Sequence, residues 1–169
     1  MTGNSKHRVL LLLGSNLGDR VAHLKAALDA IQSGVGSIVK TSSIYETAPW
    51  GVTNQPNYLN AAMEILTPLD PFSLLSSLKK IEINEGRTDR KKYASRTLDI
   101  DILFYDGITM DSNDLTIPHP KLHLRKFALV PLSEIAADHI HPVLNKSVGE
   151  LLSTCGDQLG VHHYGQLNK

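Results

Sequence analysis

Asp99 and Asp101 stand one residue apart in the run Thr97-Leu98-Asp99-Ile100-Asp101-Ile102. A β-strand has a period of two, so both carboxylates fall on one face of such a strand and the apolar residues on the other. Two adjacent acids need positive charge near them. Magnesium favours oxygen ligands and completes its shell with water and phosphate, so an Asp-x-Asp pair is a fitting half-site for a magnesium nucleotide. The same pair could also be a solvated sheet face paired with Lys and Arg.

The segment just upstream bears on that choice. Arg87, Arg90, Lys91, Lys92 and Arg96 crowd residues 87–96 against the single acid Asp89. Metals and guanidinium groups together stabilise the charge that spreads over phosphate oxygens during transfer. A basic surface turn is the alternative for the loop taken alone. No Gly-x-x-x-x-Gly-Lys-Ser/Thr run is present, and Gly14-Ser15-Asn16 is too short to diagnose phosphate binding. His119 lies between Pro118 and Pro120, whose rings fix the backbone and aim an imidazole that could donate to phosphate or simply make a structural hydrogen bond. His139, His141, His162 and His163 lack a carboxylate or cysteine context and read as surface residues. Tyr58 and Phe127 read as core aromatics unless their neighbours are ligand-binding.

These residues need a scaffold. Val9–Leu13 reads as a buried strand, followed by a turn and a helix carrying Val21, Leu24, Leu28 and Ile31, with Asp19 as N-cap and Gly34 and Gly36 at its end. Residues 37–46 read as one strand, and 48–56, with two prolines, Gly51 and Trp50, as a loop. Alternation over 57–66 puts Tyr58 and Asn60 on one face and Leu59, Ala61, Met63 and Ile65 on the other. Asp70-Pro71 starts a second helix, in which Lys79 and Glu82 share a face, ending before Gly86. Residues 97–105 form a strand with Leu98, Ile100, Ile102 and Phe104 on the face away from the aspartates. Asp106-Gly107 signals a hairpin turn. Short strands near 108–110 and 115–117 precede helices over 127–135 and 148–152. Past Cys155 there is little signal. The order strand-helix-strand-strand-helix-strand predicts an α+β, ferredoxin-like, mostly antiparallel sheet with helices packed on it. One domain over 1–169 is expected, with 1–7 and about 156–169 flexible or peripheral.

Composition narrows the class. Lys plus Arg and Asp plus Glu are 17 each, so no bulk charge favours nucleic acid or an anionic membrane, and 41% hydrophobic residues suit a globular core. An RNA-binding ferredoxin-like module is disfavoured on the same ground and by the absence of its aromatic signature. Cys155 is the only cysteine, which fits a reducing, cytoplasmic setting. The apolar run 9–13 is far short of the roughly 20 residues that span a bilayer.

Taken together, Gly14-Ser15-Asn16-Leu17-Gly18, Tyr45 to Gly51, Gln55 to Ala61, Ile81-Glu82 with Gly86-Arg87, Arg96 to Ile102, and Pro118-His119 followed by Arg125 and Phe127 closely resemble the 6-hydroxymethyl-7,8-dihydropterin pyrophosphokinase family. The resemblance runs from about Val9 to Leu152. It implies that the hydroxymethyl oxygen of the pterin attacks the β-phosphorus of ATP, giving the pterin pyrophosphate and AMP in folate biosynthesis. By matching positions, Asp99 and Asp101 would hold two magnesium ions, with Arg87 and Arg96 also catalytic. Lys79, Glu82, Arg87, Arg96, Ile102, His119 and Arg125 would form the ATP site. Thr47, Pro49, Trp50, Tyr58, Asn60, Arg96 and Phe127 would hold the pterin. Tyr93-Ala94-Ser95 departs from the Trp-Gly-Pro of many relatives, and Pro120 replaces a tyrosine found in others. Loops 48–56 and 87–95 are expected to close over bound ligands. Partners are then the two small molecules, with no nucleic acid or membrane. A metal-dependent nucleotidyl or glycosyl transferase, or a noncatalytic pterin or nucleotide binder, is the alternative.

Overall fold

A computed structural model describes residues 5–86 and 94–167 of the chain. Strands β1 (His7–Ser15), β2 (Ser37–Thr41), β3 (Ser43–Thr47), β4 (Tyr58–Thr67), β5 (Asp99–Tyr105) and β8 (Val161–Gln166) build one sheet in the order β5-β1-β4-β3-β8, with β2 also on β4. Every pairing in it is antiparallel. Two short strands, β6 (Met110–Asp111) and β7 (Thr116–Ile117), pair only with each other. The helices are α1 (Arg20–Gly34), α2 (Pro71–Asn84), α3 (Lys126–Ala136) and α4 (Val148–Ser153). This is the α+β, antiparallel arrangement expected.

Local chemistry explains the helix starts. Asp19 accepts the Ala22 N–H at 3.1 Å, and Asp70 accepts from Phe72 and Ser73 at 3.0 Å each, ahead of Pro71 at the first helical position. Ser147 and Glu150 close a capping box on the short α4.

Both faces of the sheet are covered, which is why β1 is apolar without alternation. Leu11, Leu13, Leu59 and Met63 pack with α1 and α2 residues such as Leu24, Ile31, Leu74 and Leu78. Leu10, Leu12, Ala62 and Phe104 pack with Leu129, Leu132, Val148 and Leu151 of α3 and α4.

Three expectations change. Residues 37–46 are two strands that part at Ser42, whose hydroxyl takes the Ala62 N–H at 2.8 Å, and the first of them carries its own register shift between Ile38 and Lys40. Phe104 does not share a face with Ile102: the register of β1 on β5 slips between Leu10 and Leu11, so Leu103 and Phe104 turn toward α3 while Tyr105 joins the α1 side. Asp106, at φ 47°, does make a turn, but it links β5 to β6 without pairing them. In addition, β8 forms at the sheet edge where the sequence carries little signal. His141 is buried and His139 half-buried, its Nδ1 on Arg8, so these two are not surface residues.

Candidate active site

The site begins with the register of three neighbouring strands. Asn60, Gly14 and Asp99 lie side by side across β4, β1 and β5, and Ala62, Leu12 and Asp101 form the next row. These side chains point to the α3 face, at the end of the sheet that α3 leaves open. A Cβ at position 14 would sit 2.9 Å from Asn60 Oδ1 and 3.5 Å from the Tyr58 ring, so glycine keeps the floor flat. Asn60 is buried and donates to Thr47 Oγ1 at 3.1 Å, which fixes its amide.

A cavity of about 220 Å³ opens above this floor. Leu12, Gly14 and Asn60 line it together with Thr47, Ala48, Pro49, Trp50, Val52, Gln55 and Tyr58 from β3, the following loop and β4. Arg96, Asp99, Asp101, His119, Arg125 and Phe127 complete the lining. An aromatic and apolar wall thus meets a carboxylate pair and two guanidinium groups in one hollow. Trp50 lies on the cations: Arg125 Cζ is 4.8 Å from its ring centroid and 5.6 Å from that of Phe127, with Lys121 Nζ 5.8 Å from Trp50.

The electrostatics are unbalanced in a telling way. Burial first, then the neighbouring Asp99 and Glu82, push Asp101 up to about 8, against the pull of Arg125 and Arg96. Asp99 has Arg96 Nη1 at 3.2 Å, whereas Asp101 takes no hydrogen bond from a described residue. The Arg125 Nε–H is buried and likewise unpartnered among the described residues. Burial and the charge of Arg125 lower His119 to about 4, and its Nδ1 accepts the Lys121 N–H at 3.2 Å. The imidazole is therefore neutral, with its proton on Nε2, a donor at neutral pH.

A divalent cation fits this donor set. The described residues offer no group of three or more His, Cys, Asp or Glu for a metal. The two carboxylates would supply half a shell, leaving the rest to water and phosphate oxygens, as magnesium prefers.

Among the residues singled out from sequence, Thr47, Pro49, Trp50, Tyr58, Asn60, Arg96, Asp99, Asp101, His119, Arg125 and Phe127 all line the cavity. Three do not. Lys79 is exposed on α2, and Ile102 is buried in the α1–α2 core, because period two turns it away from Asp101. Glu82 is buried behind β5 and accepts the Ile100 N–H at 2.7 Å, so it holds the strand between the two aspartates. Arg87 and most of the basic loop lie outside the described residues. Gly14, Asn16 and Gln55 stand in segments that carry the family resemblance, but sequence reasoning gave them no site role. A glycine continuing the apolar run of β1 is a signal of close approach that could have marked Gly14; for Gln55 the only signal was its place in the Gln55 to Ala61 block. A second, more open cavity of about 510 Å³ shares His119 and is lined also by Met110, Thr116, Ile117, His123 and His141.

Comparison with known proteins sharpens the picture. Residues 10–137 match the family model described as 7,8-dihydro-6-hydroxymethylpterin-pyrophosphokinase. A Haemophilus influenzae protein named 2-amino-4-hydroxy-6-hydroxymethyldihydropteridine pyrophosphokinase is 45% identical over 133 residues, covering 78% of this chain and 83% of that one. An Arabidopsis thaliana protein named folate synthesis bifunctional protein, mitochondrial, is 44% identical over 78% of this chain, which spans only 24% of its length. Among solved structures, a Plasmodium falciparum HPPK-DHPS with pterin and p-hydroxybenzoate superposes with a TM-score of 0.72 at 19% identity, over 90% of this chain and 44% of that one.

Proposed function

The chain belongs to the 7,8-dihydro-6-hydroxymethylpterin-pyrophosphokinase family, and we propose that it transfers the pyrophosphoryl group of ATP to 6-hydroxymethyl-7,8-dihydropterin, giving the pterin pyrophosphate and AMP in folate biosynthesis. The observation that carries this reading is the adjacency of a flat, amide-edged aromatic cavity and an acid pair flanked by Arg96 and Arg125 on one sheet face.

A pterin is a flat, polar bicycle. Tyr58 and Phe127 offer it aromatic faces, and Asn60 offers one amide that donates and accepts at once. Backbone groups at Thr47, Pro49 and Trp50 would read its edge. Asp99 and Asp101 would hold two magnesium ions, which would neutralise charge on the phosphates and polarise the attacking hydroxyl. Arg96 and Arg125 would bind phosphate oxygens with fork-shaped donors, and neutral His119 would add an Nε2–H donor without repelling the metal. As the hydroxymethyl oxygen bonds to the β-phosphorus, the bridge to the α-phosphate breaks and AMP leaves. Preorganised positive charge around that phosphorus is the main catalytic contribution, because phosphoryl transfer asks little covalent work of a protein.

The nucleoside is proposed to extend into the neighbouring cavity that shares His119. Arg87, with the basic segment, would reach the ATP from its loop, and Lys79 and Glu82 would act from α2, Glu82 through the β5 backbone. Closure of loop 48–56 would shut water out; the closure expected of 87–95 falls mostly on residues outside the described ones. No helix of the described residues is long and apolar enough to cross a membrane; we place the reaction in the cytoplasm on the strength of the single cysteine. Incubation of the purified chain with ATP, magnesium and the hydroxymethyl-dihydropterin should release AMP only when all three are present. A folded chain that releases none would overturn the proposal.

A further inference from the structure

Asn16 is almost fully buried, yet it is polar and lines neither cavity. Its bonds connect the two halves of the site. Oδ1 accepts the backbone N–H of Arg96 at 2.8 Å, and the Asn16 N–H donates to the Arg96 carbonyl at 3.0 Å. Nδ2 donates to the Pro56 carbonyl at 3.2 Å, with Gln55 Oε1 at 3.4 Å. One rigid amide therefore grips the strand-entry segment that carries the Arg96 guanidinium and, through its other end, the stem of loop 48–56 that carries Trp50.

We infer that Asn16 is a positioning residue that couples the two ligand subsites, so that filling the phosphate side favours the pterin side and the reverse. This rests on the substrate assignment above. Only a carboxamide serves both ends, because Oδ1 must accept and Nδ2 must donate. An aspartate would keep the bond to the Arg96 N–H but would turn an acceptor toward the Pro56 carbonyl and Gln55 Oε1. Anything that shifts Arg96 onto a polyphosphate then moves the amide, and the amide moves the loop stem. Coupling of this kind is reciprocal by thermodynamic necessity.

The test is a binding cycle on the full chain, wild type and Asn16→Asp, by calorimetry. Affinity for the hydroxymethyl-dihydropterin is measured with and without a nonhydrolysable ATP analogue plus magnesium. Wild type should bind the pterin at least about tenfold more tightly with the nucleotide present. In Asn16→Asp that factor should fall to within about twofold of unity, while pterin affinity without nucleotide stays within about threefold of wild type. A merely structural defect would weaken binding in both arms and leave the factor intact, and that result overturns the inference. Wild type that binds both ligands with no coupling overturns it as well and leaves the functional proposal standing. Wild type that binds neither ligand sinks the functional proposal and this inference with it. Should Asn16→Asp not fold, hydrogen exchange on wild type decides: magnesium nucleotide alone should slow exchange of peptides covering residues 50–60, and unchanged exchange there contradicts the inference.

Discussion

The two ends of one sheet face treat their carboxyl groups in opposite ways. At the end covered by α3 and α4, Glu64 on β4 meets Arg8 Nε at 2.8 Å and Nη2 at 3.3 Å, and Arg8 Nη1 meets His139 Nδ1 at 2.9 Å. Glu64 and Arg8 are thus each partnered. At the open end, Asp101 sits beside Asp99 with its proton held up to about 8 and no hydrogen bond from a described residue. A protein selected for stability alone would not keep that second arrangement, since the charged form of Asp101 is disfavoured by burial and by Asp99 beside it. The contrast marks the open end as built for something the chain does not itself supply, and the Glu64 end as built for the fold.

The largest effect should come from emptying the acid pair. Asp99→Asn or Asp101→Asn should lower turnover at saturating magnesium by at least about a hundredfold, as either removes a metal ligand. Asp101→Asn should at the same time stabilise the metal-free protein. A carboxyl whose folded value is raised from 3.8 to about 8 binds its proton more tightly folded than unfolded, so wild-type stability falls as pH rises across that interval. Melting curves at pH 8 should place the variant at least about 2 °C above wild type. Equal turnover, or a variant that melts lower, would erase the contrast.

Next, Tyr58→Ala and Phe127→Ala should each weaken pterin binding by about 1–3 kcal/mol and nucleotide binding hardly at all. Calorimetry with each ligand separates this from a general packing loss, which would weaken both.

At the opposite end, Glu64→Gln should cost about 1–2 kcal/mol of stability, discounted because the Arg8 side chain is 40% exposed, and should leave KM for both substrates unchanged. Denaturant melts and steady-state kinetics check it together. A change in KM would mean that the two ends are not separable.

Much of this was legible before any coordinates. The Asp19 and Asp70 caps, the apolar run of β1 and the alternation of Tyr58 and Asn60 are local signals, and local signals survive into the fold. The slip between Leu10 and Leu11 was not legible, because a bulge is decided by how two strands twist together, and it moved Phe104 to the other face. β8 was missed for a related reason: a solvent-facing edge strand such as Val161–Gln166 needs little hydrophobic pattern once β3 offers it a ladder. The aspartates, Arg96 and His119 could be read from type and spacing. Asn16 could be read only as part of the Gly14 to Gly18 segment; its role could not, since that lies in bonds to residues 40 and 80 positions away.

The smallest expected effect is an absence. Because His119 is held down to about 4, its ring shifts in the free protein should stay flat from pH 8 to 5.5 by nuclear magnetic resonance. A midpoint near 6.5 for His119 would make it a cation in the site and not a neutral donor.

Following the phosphorus tests the central claim most directly. With ATP labelled at the β-phosphate, the account predicts that all transferred label appears in the pterin product, that unlabelled AMP is released in equal amount, and that Asp99→Asn abolishes both. Labelled ADP or free labelled pyrophosphate in place of the labelled pterin would contradict it.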